Sequence, residues 1–287
     1  MSLLIVGCGY VGKHVVRKYL DLARNDAEPP HIYATTRSSD RVRELERIGV
    51  QAIVCDWLDS KEVAKLPRTK HVLVSVPHRE VPPHGIESHV IGLQAIHTLL
   101  ETESRLIYLS TTGVYGNVAN EQVDENTPVS PTRAGPNVAV RAEEWLASND
   151  ALKQCVTLRL AGIYGAGRIP LATKLKAGEA LSVPQHGHLN LIHVQDIASV
   201  ICSLFTHELQ DNLYVLSDGH PVQREIFYRE LAKQCGVSNP VFATPDDADP
   251  RQRRATDKRV NPAKIINELE IRLDYPNYRL GLEQALS

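Results

Sequence analysis

Three glycines follow a short apolar run near the start of the chain. The segment Gly7–Gly12 reads G-C-G-Y-V-G and comes directly after the run Leu3–Val6. A strand, a tight turn and a helix start in this order bring backbone amides and the positive end of a helix dipole together, which binds phosphate. In a G-x-G-x-x-G segment the first glycine makes the turn, the second lets the backbone approach a pyrophosphate, and the third allows close helix packing. The pattern predicts a dinucleotide site, with an empty tight turn as the alternative. The residues assigned to it are Gly7, Gly9, Tyr10, Val11 and Gly12.

The end of the second predicted strand indicates which dinucleotide fits. An acid at this place bonds the ribose 2′-hydroxyl of NAD, whereas an arginine accommodates the 2′-phosphate of NADP. Here the strand ends in Thr36, Arg37 and Ser38, and the first acid is Asp40. Because the guanidinium can pair with a phosphate while the two hydroxyls donate to it, the sequence favours NADP over NAD. A purely surface role for Arg37 is the alternative. Asp56, after the third predicted strand, is placed either to meet adenine or to cap the next turn.

An alternation of short β-branched runs and amphipathic stretches must position these residues. Strands alternating with helices predict an α/β fold, a Rossmann-type doubly wound parallel sheet with a smaller C-terminal substrate lobe. We expect an NADP-binding domain over residues 1–162, with its last strands continuing within 188–216, and a lobe formed by 163–187 and 217–287. The predicted strands are Leu3–Val6, His31–Thr35, Gln51–Cys55, His71–Val76, Leu106–Ser110 and Val156–Leu160. Apolar spacings of three and four predict helices through Val11, Val15, Tyr19 and Leu22, and through Ile86, Val90, Leu93, Ile96 and Leu100.

Composition and charge exclude several classes of protein. The 287 residues include 32 Lys and Arg, 34 Asp and Glu, and 43% apolar residues, a balance unlike a nucleic-acid arm or a disordered chain. The apolar runs are far shorter than the ~20 residues that cross a bilayer. Five scattered cysteines without a CxxC pair indicate neither a disulfide framework nor a zinc site. We therefore expect a cytoplasmic protein without a metal, a nucleic-acid partner or a membrane partner. The basic cluster at 251–259 is interpreted as a solvated surface.

Four segments together resemble the extended short-chain dehydrogenase/reductase superfamily, in particular its NAD(P)-dependent epimerase/dehydratase members. They are Gly7–Gly12, Leu109–Gly116, Leu158–Gly165 and Asn190–Ala198. The resemblance implies that the segment after the fifth strand brings a hydroxyl to the reacting carbon. The register of that segment places this hydroxyl on Thr111, with Ser110 alongside. The resemblance further implies a nicotinamide contact from Gly162 and contacts to the adenosine ribose from Ser75, Val76 and Pro77.

One part of the family pattern is not found. Family enzymes carry a Tyr-x-x-x-Lys pair about 25 residues after the serine, in which tyrosine is the general acid/base and lysine lowers its pKa. By register, Gly135 stands at the tyrosine position and Ala139 at the lysine position. The sequence contains no tyrosine between Tyr115 and Tyr164 that could restore the pair. The candidates for replacement acid/base groups are Tyr164, Tyr115, His78 and His84.

Two functions of different class fit these observations. The first is an NADP(H)-binding epimerase/dehydratase-like or reductase protein, which acts on a small carbonyl or sugar-type substrate through non-standard acid/base residues. Its catalytic candidates are Thr111 and Tyr164. The second is a catalytically weak or inactive NADP-binding sensor or interaction protein. Leu189 stands where sugar-nucleotide epimerases usually have an arginine for the diphosphate, which makes a nucleotide sugar less expected as the substrate.

Overall fold

Strands and helices alternate along the chain as the sequence predicts. The computed structural model describes residues 2–25, 27–119, 121–149, 154–243 and 257–287. The strands are β1 (Ser2–Val6), β2 (His31–Thr36), β3 (Gln51–Val54), β4 (His71–Val74), β5 (Arg105–Thr111), β6 (Gln122–Val123), β7 (Cys155–Leu160), β8 (Gly162–Tyr164), β9 (His188–Leu189), β10 (Leu191–His193), β11 (Leu213–Leu216), β12 (Val222–Gln223) and β13 (Arg259–Val260). The α-helices are α1 (Tyr10–Leu22), α2 (Val42–Glu46), α3 (Ser60–Val63), α4 (Ser88–His97), α5 (Ala134–Ala147), α6 (Ala172–Lys176), α7 (Val194–Leu204), α8 (Arg224–Cys235), α9 (Ala263–Glu268) and α10 (Tyr278–Leu286). Short 3₁₀ turns lie at Ser39–Arg41 and Thr112–Tyr115.

The central sheet has seven strands in the order β11, β7, β5, β4, β1, β2, β3. Strand β1 pairs in parallel with both β2 and β4, and β5 pairs in parallel with β4. The chain therefore builds one side of the sheet outward from β1 and then crosses to the other side at β4. Such a switch point opens a crevice at the carboxyl ends of the strands, where ligands of open α/β sheets bind. The predicted Rossmann-type fold is confirmed.

Burial explains why the sequence of the central strand β1 is apolar and does not alternate. Leu3, Leu4, Ile5 and Val6 of β1 are all 0% exposed, as expected when helices cover both faces of a parallel sheet. The helices differ from prediction at single residues. Leu22, the last residue of α1, is 59% exposed because it lies beyond the buried face formed by Val11, Val15 and Tyr19. Ile86 precedes α4 and is 39% exposed.

The chain divides into two compact units. The first comprises Met1–Val114, Pro131–Arg159 and Ile197–Tyr214, and the second Tyr115–Ser130, Leu160–Asp196 and Val215–Ser287. Residues 115–130, 160–162, 188–196 and 215–216, which the sequence assigns to the first domain, cluster with the second unit. For 115–130 the reason is a pairing that sequence proximity does not show, because β6 within this segment pairs in parallel with β13.

Each unit has its own apolar core. In the first, Leu4, Trp57, Leu93 and Tyr108 belong to one buried cluster. In the second, Tyr164, Phe227 and Leu282 belong to another. The cysteines are unpaired. Within the described ranges, none of the helices has the length and apolar character needed to cross a membrane.

Candidate functional site

The glycine segment forms a turn that only a residue without a side chain can make. Gly7 has φ +78°, and a Cβ there would lie 2.8 Å from Val76 Cγ2 and 3.3 Å from the Ser75 carbonyl oxygen. Its amide donates to Thr35 Oγ1 at 2.9 Å. The turn is therefore held against the ends of β2 and β4, with Ser75 and Val76 beside the glycine segment. The contact of Ser75, Val76 and Pro77 with an adenosine ribose stays a prediction.

The other two glycines differ in what surrounds them. A Cβ at Gly9 would meet nothing but the Gly7 carbonyl oxygen, at 3.9 Å, so the backbone here is open to a ligand. A Cβ at Gly12 would lie 3.1 Å from both Cys8 Sγ and Ile5 Cγ2, so this glycine allows α1 to pack on β1. No side chain of the residues that the structure describes caps the start of α1, where Gly9 is the N-cap. An uncapped helix start behind an open glycine has amides available for a pyrophosphate. This geometry fits a dinucleotide.

The end of β2 carries an exposed cation. Arg37 is exposed and has no ion-pair partner among the described residues. The Thr36 hydroxyl accepts a hydrogen bond from the Ser38 amide at 3.3 Å, which orders the turn around the guanidinium. Sequence reasoning missed Arg41, which donates to the Cys8 carbonyl at 3.1 Å and joins the glycine segment to this turn. Its only signal in the sequence is a second arginine one helical turn after Arg37.

Asp56 takes the capping role that the sequence left open. Its Oδ1 accepts from the Leu58 amide at 3.1 Å, and its own amide donates to Glu62 Oε2 at 2.6 Å. The carboxylate thus fixes the turn that follows β3. An adenine contact through the second carboxylate oxygen stays a prediction.

Ser110 and Thr111, at the end of β5, have different partners. The Ser110 hydroxyl donates to the Glu143 carboxylate. Glu143 in turn pairs with Arg159, with an Nη2–Oε2 distance of 2.7 Å and side-chain exposures of 10% and 6%. The Thr111 hydroxyl oxygen accepts from the Gly113 amide at 3.0 Å, which leaves its own proton available for a ligand. Ser110 therefore belongs to a buried network that the sequence did not reveal, whereas a substrate contact of Thr111 stays a prediction.

Gly135 and Ala139, which the sequence register predicts to align with the family's tyrosine and lysine, hold no titratable group. That alignment stays a prediction. Ala139 is buried on α5. A Cβ at Gly135 would lie 3.0 Å from the His78 backbone oxygen, so the loop after β4 occupies the space beside this position. A larger residue at 135 would have to displace that backbone. His78 is therefore the acid/base candidate that lies next to the aligned tyrosine position.

His78 belongs to a cluster of hydrogen-bonded aromatic rings. Its Nε2 lies 3.1 Å from the Tyr108 hydroxyl, which lies 2.9 Å from Nδ1 of His89. The two imidazoles stack at 4.8 Å between centroids, and Trp57 packs edge-on against His89. Burial, with a smaller contribution from His89, lowers the pKa of His78 to about 3. Burial likewise lowers the pKa of His89 to about 4 and raises that of Tyr108.

Two of the other acid/base candidates, Tyr164 and Tyr115, are buried, and the third, His84, is not. Tyr164 is 0% exposed, its hydroxyl has no hydrogen-bond partner among the described residues, and burial raises its pKa. A Cβ at Gly281 would lie 1.9 Å from that hydroxyl, so α10 packs directly on it. Tyr115 is also fully buried and donates to the Asp124 carbonyl at 2.6 Å. His84 is partly exposed in the loop before α4.

Three further residues lie in the second unit. Gly162 donates to the Asn190 carbonyl at 2.8 Å, and a Cβ there would lie 2.9 Å from the same oxygen. This glycine is needed for the β8–β10 pairing, and its nicotinamide contact stays a prediction. Leu189 is 8% exposed on β9.

The prediction that the basic cluster is solvated is wrong for Lys258, which is 8% exposed and donates to the Gly116 carbonyl at 3.2 Å. Arg251, Arg253 and Arg254 lie outside the described residues.

Comparisons with known proteins agree with this geometry. Residues 3–216 match the model of the NAD dependent epimerase/dehydratase family. The chain is 29% identical to Protein YeeZ of Escherichia coli K12 over 96% of this chain and 97% of that protein. It is also similar to a conserved protein of Silicibacter pomeroyi DSS, with 29% identity, a TM-score of 0.79, and coverage of 99% and 98% of the two chains. A dTDP-glucose 4,6-dehydratase of Bacillus anthracis, solved in complex with NAD, shares the fold at 16% identity, with a TM-score of 0.80 and coverage of 100% and 95%. The chain therefore belongs to the NAD dependent epimerase/dehydratase family.

Proposed function

We propose that the chain is an NADP(H)-binding epimerase/dehydratase-like or reductase protein that acts on a small carbonyl or sugar-type substrate with non-standard acid/base residues. The observation that carries the cofactor assignment is the exposed guanidinium of Arg37 at the end of β2, where the strand contains no acid. A planar guanidinium suits a 2′-phosphate, whereas a ribose 2′-hydroxyl calls for a carboxylate.

The residues that would hold the cofactor follow from the contacts described above. The open backbone at Gly9 and the amides at the start of α1, including Tyr10 and Val11, receive the pyrophosphate. Arg37 and Ser38 receive the 2′-phosphate, and the loop from Ser75 to Pro77 lies under the adenosine ribose. Bound at this place, the cofactor supplies or accepts a hydride.

Thr111 is the side chain proposed to hold the substrate oxygen. Because its hydroxyl oxygen already accepts from the Gly113 amide, its proton can be donated to a carbonyl oxygen. A hydroxyl of ordinary pKa does not readily supply a proton at neutral pH without a base beside it. Turnover therefore needs a second group. The sequence predicts Tyr164 for that role, whereas the burial of its side chain favours a packing role.

A catalytically weak NADP-binding sensor is the second candidate. Gly135 and Ala139 favour it, since neither can move a proton, whereas the glycine segment and Arg37 retain what cofactor binding needs. The two functions share the cofactor and differ in turnover. We also propose a cytoplasmic location and a small-molecule partner.

Binding and turnover are measured separately to test these proposals. Calorimetric titration of the protein with NADPH and with NADH tests the cofactor, and we expect NADPH to bind at least about tenfold more tightly. Loss of NADPH absorbance with a panel of aldehydes, ketones and sugars then tests the enzyme function. Tight NADPH binding without consumption would favour the sensor.

A further inference from the structure

The start of α5 lies directly against the turn that follows β5. A Cβ at Gly113, in that turn, would lie 2.9 Å from Pro136 Cγ on α5, which is too close for two carbon atoms in contact. A larger residue at 113 would therefore force the turn and the helix apart. Because Gly113 has no side chain, the residue that precedes α5, Arg133, comes to lie beside the end of β5.

Arg133 and Thr111 place polar groups around one point. The position that a Cβ of Gly113 would take lies 3.3 Å from Thr111 Oγ1 and 3.5 Å from Arg133 Nη2. A hydroxyl and a guanidinium therefore stand beside the same small space. This space lies at the carboxyl end of β5, the edge of the sheet at which ligands of open α/β folds bind.

Both groups can donate a hydrogen bond to a ligand. The Thr111 oxygen accepts from the Gly113 amide at 3.0 Å, so the hydroxyl proton is directed to another acceptor. The guanidinium of Arg133 can only donate, and it stays charged at every physiological pH. Hydrogen bonds between ionised groups are shorter than neutral ones and about twice as strong. The pair of donors therefore favours a ligand with an anionic oxygen.

The carboxylate nearest to Thr111 in the sequence of contacts is already paired. Ser110 donates to Glu143, and the buried Arg159 holds that carboxylate with an Nη2–Oε2 distance of 2.7 Å. Nε of Arg159 lies 3.2 Å from each of the two carboxylate oxygens. Since the charge of Arg159 compensates that of Glu143, the repulsion of an anion bound at Thr111 is small.

The backbone of Arg133 is fixed, whereas its side chain is exposed. The Arg133 carbonyl accepts from the amide of Asn137 at 3.1 Å and from its side-chain nitrogen at 3.0 Å. The residue is the N-cap of α5, but among the described residues no side chain makes a capping hydrogen bond there. The guanidinium is therefore not needed to start the helix and can be reached from solvent.

We propose that the substrate carries a carboxylate or a phosphate next to its reacting oxygen, and that Arg133 binds this anion while Thr111 donates to the oxygen. Arg133 is then a specificity-determining residue, which selects charged carbonyl or sugar-type compounds over neutral ones of similar size. The inference deepens the proposed function and rests on it, because it takes Thr111 as the residue that contacts the substrate.

Chemical modification tests the binding of an anion without requiring turnover. Phenylglyoxal modifies guanidinium groups, and peptide mass spectrometry measures the rate at each arginine. The probes are small ketones in matched pairs: pyruvate against hydroxyacetone for the carboxylate, and dihydroxyacetone phosphate against dihydroxyacetone for the phosphate. On protein saturated with NADP⁺, at constant ionic strength, the charged member of at least one pair should slow modification of Arg133 at least about fivefold, and its neutral partner less than about twofold. Arg141, exposed on the same helix, should react at an unchanged rate.

Variants at position 133 test the specificity. Calorimetry on the NADP⁺-saturated protein should show that Arg133→Gln binds the protecting ketone about tenfold more weakly than the wild type. Arg133→Lys keeps the charge but loses the planar fork, so it should lose less affinity. Arg141→Gln is the matched control and should bind the ketone as the wild type does. The affinity for NADP⁺ should be the same in all of these proteins, which shows that the variants fold.

The outcomes separate this inference from the proposed function. If calorimetry shows no binding of NADP⁺, the cofactor proposal fails, and the modification experiment on the free protein still decides whether Arg133 holds an anion. If NADP⁺ binds but neither charged ketone protects Arg133, the inference fails alone. It also fails if the neutral ketones protect Arg133 equally well, or if Arg133→Gln binds the charged ketone as tightly as the wild type.

Discussion

Replacing Arg37 by glutamine tests the part of the site that distinguishes the two dinucleotides. Arg37 is exposed and makes no ion pair with the described residues, so its replacement breaks no ion pair with them. A hydrogen bond to a charged group contributes about 1.5–3 kcal/mol, which corresponds to about a tenfold to hundredfold change in dissociation constant. Because the pair is exposed, the lower part of this range applies, and the effect should shrink as salt is added.

Calorimetry of the wild type and of Arg37→Gln with each dinucleotide measures this effect. NADPH should bind the wild type at least about tenfold more tightly than NADH. The variant should lose most of that preference through weaker NADPH binding, with NADH binding unchanged. Arg43→Gln is the matched control, since Arg43 is also exposed but lies on α2 beyond the turn. Equal affinities of the wild type for the two dinucleotides would refute the reasoning, as would a variant that weakens both equally.

Three further variants test the remaining contacts. Gly9→Val should fold, because a Cβ at this position meets only an oxygen at 3.9 Å. The variant should lose NADPH binding, because the valine side chain fills the space proposed for the pyrophosphate. Unchanged affinity with an unchanged circular dichroism spectrum would contradict the dinucleotide site. Glu143→Ala removes the carboxylate that pairs with the buried Arg159, and it should lower the free energy of unfolding by about 3–5 kcal/mol in urea titrations. Glu144→Ala, at the neighbouring exposed carboxylate, should lower it by less than about 1 kcal/mol. Similar losses for the two variants would show that burial of the pair is unimportant. Tyr164→Phe should leave the melting temperature unchanged or raise it, since the hydroxyl is buried without a hydrogen-bond partner among the described residues. A large drop in melting temperature would show that the Tyr164 hydroxyl makes a stabilising polar contact.

The local pattern of the sequence determined the nucleotide-binding half of this protein. The turn at Gly7–Gly12, the apolar strands and the basic end of β2 depend on residues close together in the chain. Backbone sterics and hydrophobic periodicity act over that same short range. The Rossmann-type sheet and the family were therefore predicted correctly. The NADP preference and the individual site residues stay predictions.

Other features were decided by which strands are neighbours in the sheet. His78 follows β4 and Tyr108 lies on β5, and they meet because these two strands pair in register, with Val74 opposite Tyr108. The packing of neighbouring elements likewise brings together Ser110 of β5, Glu143 of α5 and Arg159 of β7. No local pattern encodes such contacts.

The tertiary structure also decides surroundings that residue type does not indicate. Lys258 belongs to a run of basic residues typical of a solvated surface, yet the pairing of β13 with β6 buries it against the Gly116 carbonyl. A tyrosine hydroxyl is an acid/base group by its type, yet Gly281 of α10 lets the helix pack onto the hydroxyl of Tyr164, whose catalytic role stays a prediction. Residue type indicates what a side chain can do, but its burial and its partners, which come from distant parts of the chain, decide what it does here.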